Sequence, residues 1–380
     1  MNATDRLPLS TRRRRVRAVA LLVAAGLGLS ATTACSSGSG DAEAPGTTAS
    51  AAPDRSGAVS ALVAQVFVPS YDRLASTTDG LAKAVGTLCA DAASMTDAAK
   101  TQSAQASYRQ AREAWLTTTS FRFGPVMDLA AESAIGWPVD ADKVDALLTA
   151  DPTAALTPDA VQRRGADQRG LGGIEHVLFG VGPLNARPCS YLVSASSLVH
   201  TKGADVARAW REPTAGKPSG ADQMTKPGAD GMWATEHEVL TDVVNGTVAA
   251  LSAAGDRSLG KAAGVTAPTP EATEVDAGRA RTALADSRAM VEGVRRIHEA
   301  GVAPILAGPA AATATRLEDQ LIAALAAIDA VPAPLHDLGG GTEPVKQAYE
   351  RVRDARVTLR TEVASQLGVT LTFSDSDGDG

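Results

Sequence analysis

Glu175 stands in the stretch RGLGGIEHVLFG (residues 169–180), where a carboxylate and the neighbouring His176 are set among apolar residues and glycines. A helix over 170–180 would put Leu171, Ile174, Glu175 and Leu178 on one face, because positions i, i+3, i+4 and i+7 stack. The carboxylate then lies on the apolar stripe. Its desolvation is costly unless a cation, a metal or several hydrogen-bond donors meet it. Gly172 sits one turn earlier on that face and leaves room for a ligand to approach. Two readings follow with equal weight: Glu175 is the polar centre of a ligand or metal site, or it is half of a buried ion pair with Arg122 or Arg169.

The other polar residues are sorted by the same reasoning. His176 points about a quarter-turn from Glu175, so the two are poor joint ligands and the histidine is expected to pack at the edge of the face. His237 and Glu238 begin a zincin-like pattern, but Thr241 occupies the place of its second histidine. No C-x-x-C pair, phosphate loop or G-x-S-x-G is found, and His200, His298 and His336 are scattered. In FRFGP, Arg122 stands between two aromatics beside a Gly-Pro break, suited either to clamp a carboxylate or to anchor a helix corner. Asp128, Glu132 and Trp137 follow closely and are candidates for the same cavity wall. The acidic tail at Asp375, Asp377 and Asp379 copies half of a calcium loop and lacks the later ligands.

These side chains need a scaffold, and the composition points to helices. Hydrophobic residues make up 44% of the 380, with alanine dominant and aromatics at only 3%, which favours closely packed helices over a sandwich of strands. Pro69 suits the first turn of a helix carrying Tyr71, Leu74, Leu81, Val85 and Leu88. Thr96 or Asp97 caps a second helix bearing Ala104, Tyr108, Ala111 and Trp115, and the two should pair antiparallel. Thr157 and Pro158 mark another helix start, and a helix resumes after Pro188. Further helices are expected over 232–253, 274–300, 310–330 and 343–367. Residues 211–231, rich in Gly and Pro, read as a long surface loop.

The N-terminus reads as an export signal: a basic run from Arg12 to Arg17 precedes the apolar stretch 18–29 and then SATTAC. Cys35 closes this segment, and the polar stretch after it is a tether over 35–56. Lipidation at Cys35 is the favoured outcome, with soluble secretion as the alternative, so the expected location is outside the cytoplasm on the cell membrane. Removal of residues 1–34 takes away six Arg and one Asp and moves the formal charge from −7 to −12. An acidic surface argues against nucleic acid as a partner. In an oxidising compartment Cys89 and Cys189 could pair or remain buried thiols; pairing is slightly favoured.

Taken in order, YDRLASTTDGLAKAVGTLC, YRQAREAW, FRFGPV, IGWPVD, RGLGGIEHVLFG, PCSYL and LGVTLTFSDSDGDG resemble the imelysin family of bacterial envelope proteins. The resemblance implies an all-α fold of two packed helical bundles, with a ligand site where they meet. It also implies a lipoprotein or periplasmic setting, often linked to iron uptake. Boundaries follow as a signal peptide 1–34, a tether 35–56, an N-terminal bundle 57–210, a loop 211–231 and a C-terminal bundle 232–380. Many members carry G-x-H-x-x-E, whose His and Glu share one helical face; here Gly172 stands where that histidine would be, and only Glu175 is kept, as in a subgroup of the family.

The expected function is therefore a tethered, non-enzymatic binding protein of the envelope serving iron or another metal-linked uptake process. Glu175, Arg122, Glu132 and Trp137 are its candidate ligand-binding residues. No cofactor is assigned, with a metal ion at Glu175 (iron, zinc or calcium) as the open case. Expected partners are the membrane through the lipid, an unidentified small ligand or metal, and envelope transport proteins. Two alternatives stand beside it: a metallopeptidase of the imelysin type, and a structural or protein-docking module.

Overall fold

Asp54 opens the first helix by accepting the N–H of Gly57 at 2.8 Å, satisfying a donor that the first turn leaves without a partner. The computed structural model describes residues 54–136, 138–150, 156–180, 182, 184–266, 278–338 and 341–372. The signal, Cys35, nearly all of the tether, Trp137 and the acidic tail lie outside them. Helix α1 runs over 55–88 as Arg55–Leu62, a π-turn Val63–Phe67 and Val68–Leu88. Helix α2 is Ala98–Thr117, capped by Asp97; α3 is Gly170–Gly180; α4 is Ala186–Arg211, capped by Asn185. No strand occurs among the described residues, where an isolated bridge joins Thr214 and Lys217.

Helix α5 covers 236–263, with a π-segment at Ala253–Gly260. Helix α6 covers 283–305, with a π-turn at His298–Val302. Helix α7 is Ala311–Asp329, and α8 covers 343–367 with a π-turn at Leu359–Val363. In the first group α1 packs on α2 and α4, and α3 packs on α2 and α4; in the second α7 packs on α6 and α8, and α6 and α8 both pack on α5. Contacts of α2 with α6, and of Thr119–Phe121 with α5, join the groups. One continuous apolar core runs through both.

The helix carrying Tyr71 begins at Arg55, fourteen residues before Pro69. Proline lacks the N–H that an uninterrupted helix requires, and the π-turn just before it shifts the hydrogen-bond ladder. Pro304 in α6 likewise follows a π-turn. The first turns of α1 also reach the second group: a Cβ at Gly301 would fall 2.5 Å from Leu62, and Arg55 donates to the Leu367 carbonyl at 3.3 Å. Residues 211–231 depart from a structureless loop. Gly220–Thr225 form a short helix capped by Ser219, with Met224 fully buried. Helix α6 starts at Ala283, well after 274.

Two devices fasten the first group. Cys89 at the end of α1 and Cys189 in the first turn of α4 form a disulfide, with Cα atoms 5.3 Å apart. Six of the aromatics gather in one cluster: Phe67, Tyr71, Phe121, Phe123, Trp210 and Trp233. The buried Tyr71 hydroxyl donates to the Phe121 carbonyl at 2.7 Å, which gives its polar end a partner. That bond fixes the corner from which Arg122 departs.

Candidate functional site

Helix α3 begins at Gly170, whose φ of +73° and close approach to the Ile135 carbonyl suit a residue without a Cβ. Leu171, Ile174, Glu175 and Leu178 are all buried, with Glu175 at 7% exposure. The carboxylate does face inward. A Cβ at Gly173 would come within 2.0 Å of the Tyr191 hydroxyl, so this glycine permits close packing of α3 on α4. Gly172 lines a cavity of about 430 Å³.

Neither Arg122 nor Arg169 pairs with Glu175. Its Oε1 accepts the backbone N–H of Ala280 at 2.9 Å, and its Oε2 accepts the Tyr108 hydroxyl at 3.2 Å. Arg122 instead donates to Glu132 at 3.1 Å, to the Trp115 carbonyl at 3.0 Å and to Thr119 at 3.1 Å, while its guanidinium stacks 3.9 Å from the Trp115 ring. Burial lowers the Arg122 pKa and Glu132 opposes that effect. Arg169 donates to the Gln162 carbonyl. His176 is buried at 3% exposure, its Nε2 2.6 Å from Asp145, on a different side from Glu175.

The cavity lies where α2, α3, α5 and α6 approach. Arg112, Trp115, Arg122, Glu132, Gly172, Glu175, Arg257 and Asp286 are among its walls. Arg112 Nε donates to Asp286 at 2.8 Å, and its Nη1 is 3.5 Å from the Tyr108 hydroxyl, so a chain of contacts links Asp286 to Glu175. Burial pushes Asp286 up to about 6, with Arg112 restraining the rise. Burial also works against the Arg112 charge, but Asp286, Tyr108 and Glu175 together outweigh it and raise its pKa. Burial raises the pKa of Tyr108, which keeps the hydroxyl protonated as a donor.

Of the residues expected at the site, Glu175, Arg122 and Glu132 line this one cavity, and Trp137 lies outside the described residues. Sequence reasoning missed Tyr108, Arg112, Arg257 and Asp286. Tyr108 and Trp115 were visible as core stripe residues, with Arg112 between them at a four-residue spacing that placed a charge near that face. Asp286 carried the same signal as Glu175: it falls in register with the buried Ala283, Met290, Val294 and Ile297.

A family model for imelysin (peptidase M75) matches residues 67–366, which covers most of the chain. The chain belongs to the imelysin family. It is 26% identical over 204 residues to iron-regulated protein A of Synechococcus elongatus, and the match spans 53% of each protein, about half the length of that relative. Two crystal structures share the fold. One is an imelysin-like protein from Psychrobacter arcticum, with a TM-score of 0.69, 19% identity, and coverage of 85% of this chain and 99% of that one. The other, from Parabacteroides distasonis, is described as an iron-regulated protein A precursor, with a TM-score of 0.71, 19% identity, and coverage of 84% and 97%.

Proposed function

We propose that this chain is an exported, lipid-anchored binding protein of the cell envelope that captures a small ligand in the cavity and serves iron-linked uptake without catalysis. The observation that carries this reading is the cavity itself. A space of about 430 Å³ between packed helices, walled by charged side chains and an indole, has the size and mixed lining of a small-molecule site. The basic and apolar run ending at Cys35 supports export and anchoring. The names of two relatives, which refer to regulation by iron, support the physiological setting. Envelope transport proteins would receive the ligand.

The residues do not fit a directly coordinated metal. Both Glu175 oxygens accept hydrogen bonds from the protein, Asp286 is tied to Arg112, and Gly172 offers no donor atom. Among the described residues no three of His, Cys, Asp and Glu gather as a ligand set. The same carboxylate is poorly placed as a general base, because both of its oxygens are held to the wall by Ala280 and Tyr108.

Native mass spectrometry of the protein from its own membranes tests the binding role. The expected result is a noncovalent adduct of small mass that is lost on denaturation. Peptide hydrolysis that is abolished both by a chelator and by Glu175→Gln, in protein free of contaminating protease, overturns this reading in favour of a metallopeptidase. Absence of any adduct, together with a partner protein retained by the folded chain, overturns it in favour of a docking module.

A further inference from the structure

Resting on the binding role just proposed, we infer that the cavity recognises a small carboxylate-rich anion, held chiefly by Arg257. Acceptors and donors on the cavity wall are not in balance. Each carboxylate there already has a protein donor: Glu175 has Ala280 and Tyr108, Asp286 has Arg112 and Thr282, and Glu132 has Arg122. A bare cation would compete with those donors for every one of these groups.

The donors left over are of the opposite kind. Arg257 lines the cavity from the π-segment of α5 and is exposed, with no ion pair or hydrogen bond among the described residues. Arg112 uses Nε and Nη1, and its Nη2 has no acceptor among the described residues. The Nε of Arg122 is buried and has no hydrogen-bond partner among the described residues. Ser258, itself 4% exposed, also lines the cavity, and its hydroxyl makes no hydrogen bond among the described residues. Guanidinium forks match carboxylate oxygens two at a time, and a hydroxyl can add a further bond. Arg112 and Arg122 are each paired with a carboxylate, which leaves Arg257 as the cation of the wall without an ion pair among the described residues; the remaining carboxylate, Glu175, has both oxygens turned to the Ala280 N–H and the Tyr108 hydroxyl.

The shared chemistry is a cluster of carboxylates, and it has two sources: a free polycarboxylate, or a ferric ion already wrapped in one. Calorimetric titration of the full chain with citrate, with ferric citrate, with ferrous sulfate under anaerobic conditions and with inorganic phosphate separates them. Saturable one-site binding of citrate is expected, weakened at least about tenfold in Arg257→Ala, the factor that 1.4 kcal/mol represents, and unchanged in the charge-matched surface control Arg351→Ala. Binding should also weaken with added salt. Ferric citrate binding without citrate binding, and with the same dependence on Arg257, supports the inference and assigns the chelate as ligand. Ferrous ion binding that Arg257→Ala leaves unchanged overturns it, as does tighter binding of phosphate than of citrate. A blank titration with every probe also overturns it, whereas a native adduct of neutral or cationic chemistry would still leave the binding role standing.

Discussion

Glu175 and Arg109 hold opposite ends of one residue: the carboxylate accepts the N–H of Ala280 at 2.9 Å, and Arg109 Nε donates to its carbonyl at 3.4 Å. Ala280 lies in the connection that enters α6, so side chains from α3 and α2 fix where that helix begins. The start of α6 sets the place of Asp286, Asp286 holds Arg112, and Arg112 borders the cavity. Glu175 is thus a positioning residue in the wall and not a group held ready for a ligand.

Glu175→Ala leaves the buried Ala280 N–H without an acceptor and should cost about 1–3 kcal/mol, since an unsatisfied buried donor carries its full desolvation penalty. Glu175→Gln retains an oxygen for Ala280, and the Tyr108 hydroxyl can turn to accept from the new amide, so its cost should be about 1 kcal/mol. Urea denaturation of both variants checks the order. Equal losses would show that the carboxylate does not fasten Ala280.

Asp286 gives the fold a pH dependence of definite sign. Its folded pKa of about 6 lies above the ordinary carboxylate value of 3.8, so between those two values the folded state binds more protons than the unfolded state. The contribution of this group to stability therefore rises as pH falls from about 7 towards 4. Denaturation midpoints at pH 7 and pH 5 should show the wild type gaining relative to Asp286→Asn over that interval. Identical pH slopes in the two proteins would contradict it.

The disulfide closes a loop with a sequence separation of 100 residues. A cross-link over that span restricts the unfolded chain by about 4–5 kcal/mol in the chain-entropy model, with typical measured values of about 2–4 kcal/mol. The double variant Cys89→Ser and Cys189→Ser should lose stability within the measured range. Its ligand binding should persist, because neither cysteine lines the cavity. A stability loss below about 0.5 kcal/mol would indicate that the two cysteines are not joined in the native protein.

Much of the fold was legible because helix signals are local. Asp97 at the start of α2, Thr157 with Pro158, and the apolar stripe Ala104, Tyr108, Ala111 and Trp115 appear where the spacing put them. The early start of α1 was not, because Pro69 normally marks a beginning and the π-turn that accommodates it leaves no compositional trace. At the site, the inward orientation of Glu175 followed from its register. Its partners did not, since Ala280 lies 105 residues away and contributes a backbone N–H that no residue type advertises. Arg122 was legible as a clamp for a carboxylate, but the one it holds is Glu132, ten residues along the same corner.

The missing motif histidine allows the role of the hydrogen bonds on Glu175 to be tested directly. Gly172 borders the cavity, so a histidine there has space for its ring and would stand one turn before Glu175 on the same face. Each Glu175 oxygen is directed to a protein donor that a bound metal would have to displace or share, Tyr108 at Oε2 and Ala280 at Oε1. Gly172→His alone should therefore bind cobalt(II) weakly, as followed by its visible absorption. Adding Tyr108→Phe frees Oε2 and should tighten binding at least about tenfold, about 1.4 kcal/mol. The phenylalanine keeps the ring contact that Tyr108 makes with Phe179 at 5.3 Å, so the fold should tolerate the change. Equal affinity in the single and double variants would mean that the hydrogen bond from Tyr108 does not withhold the carboxylate from a metal.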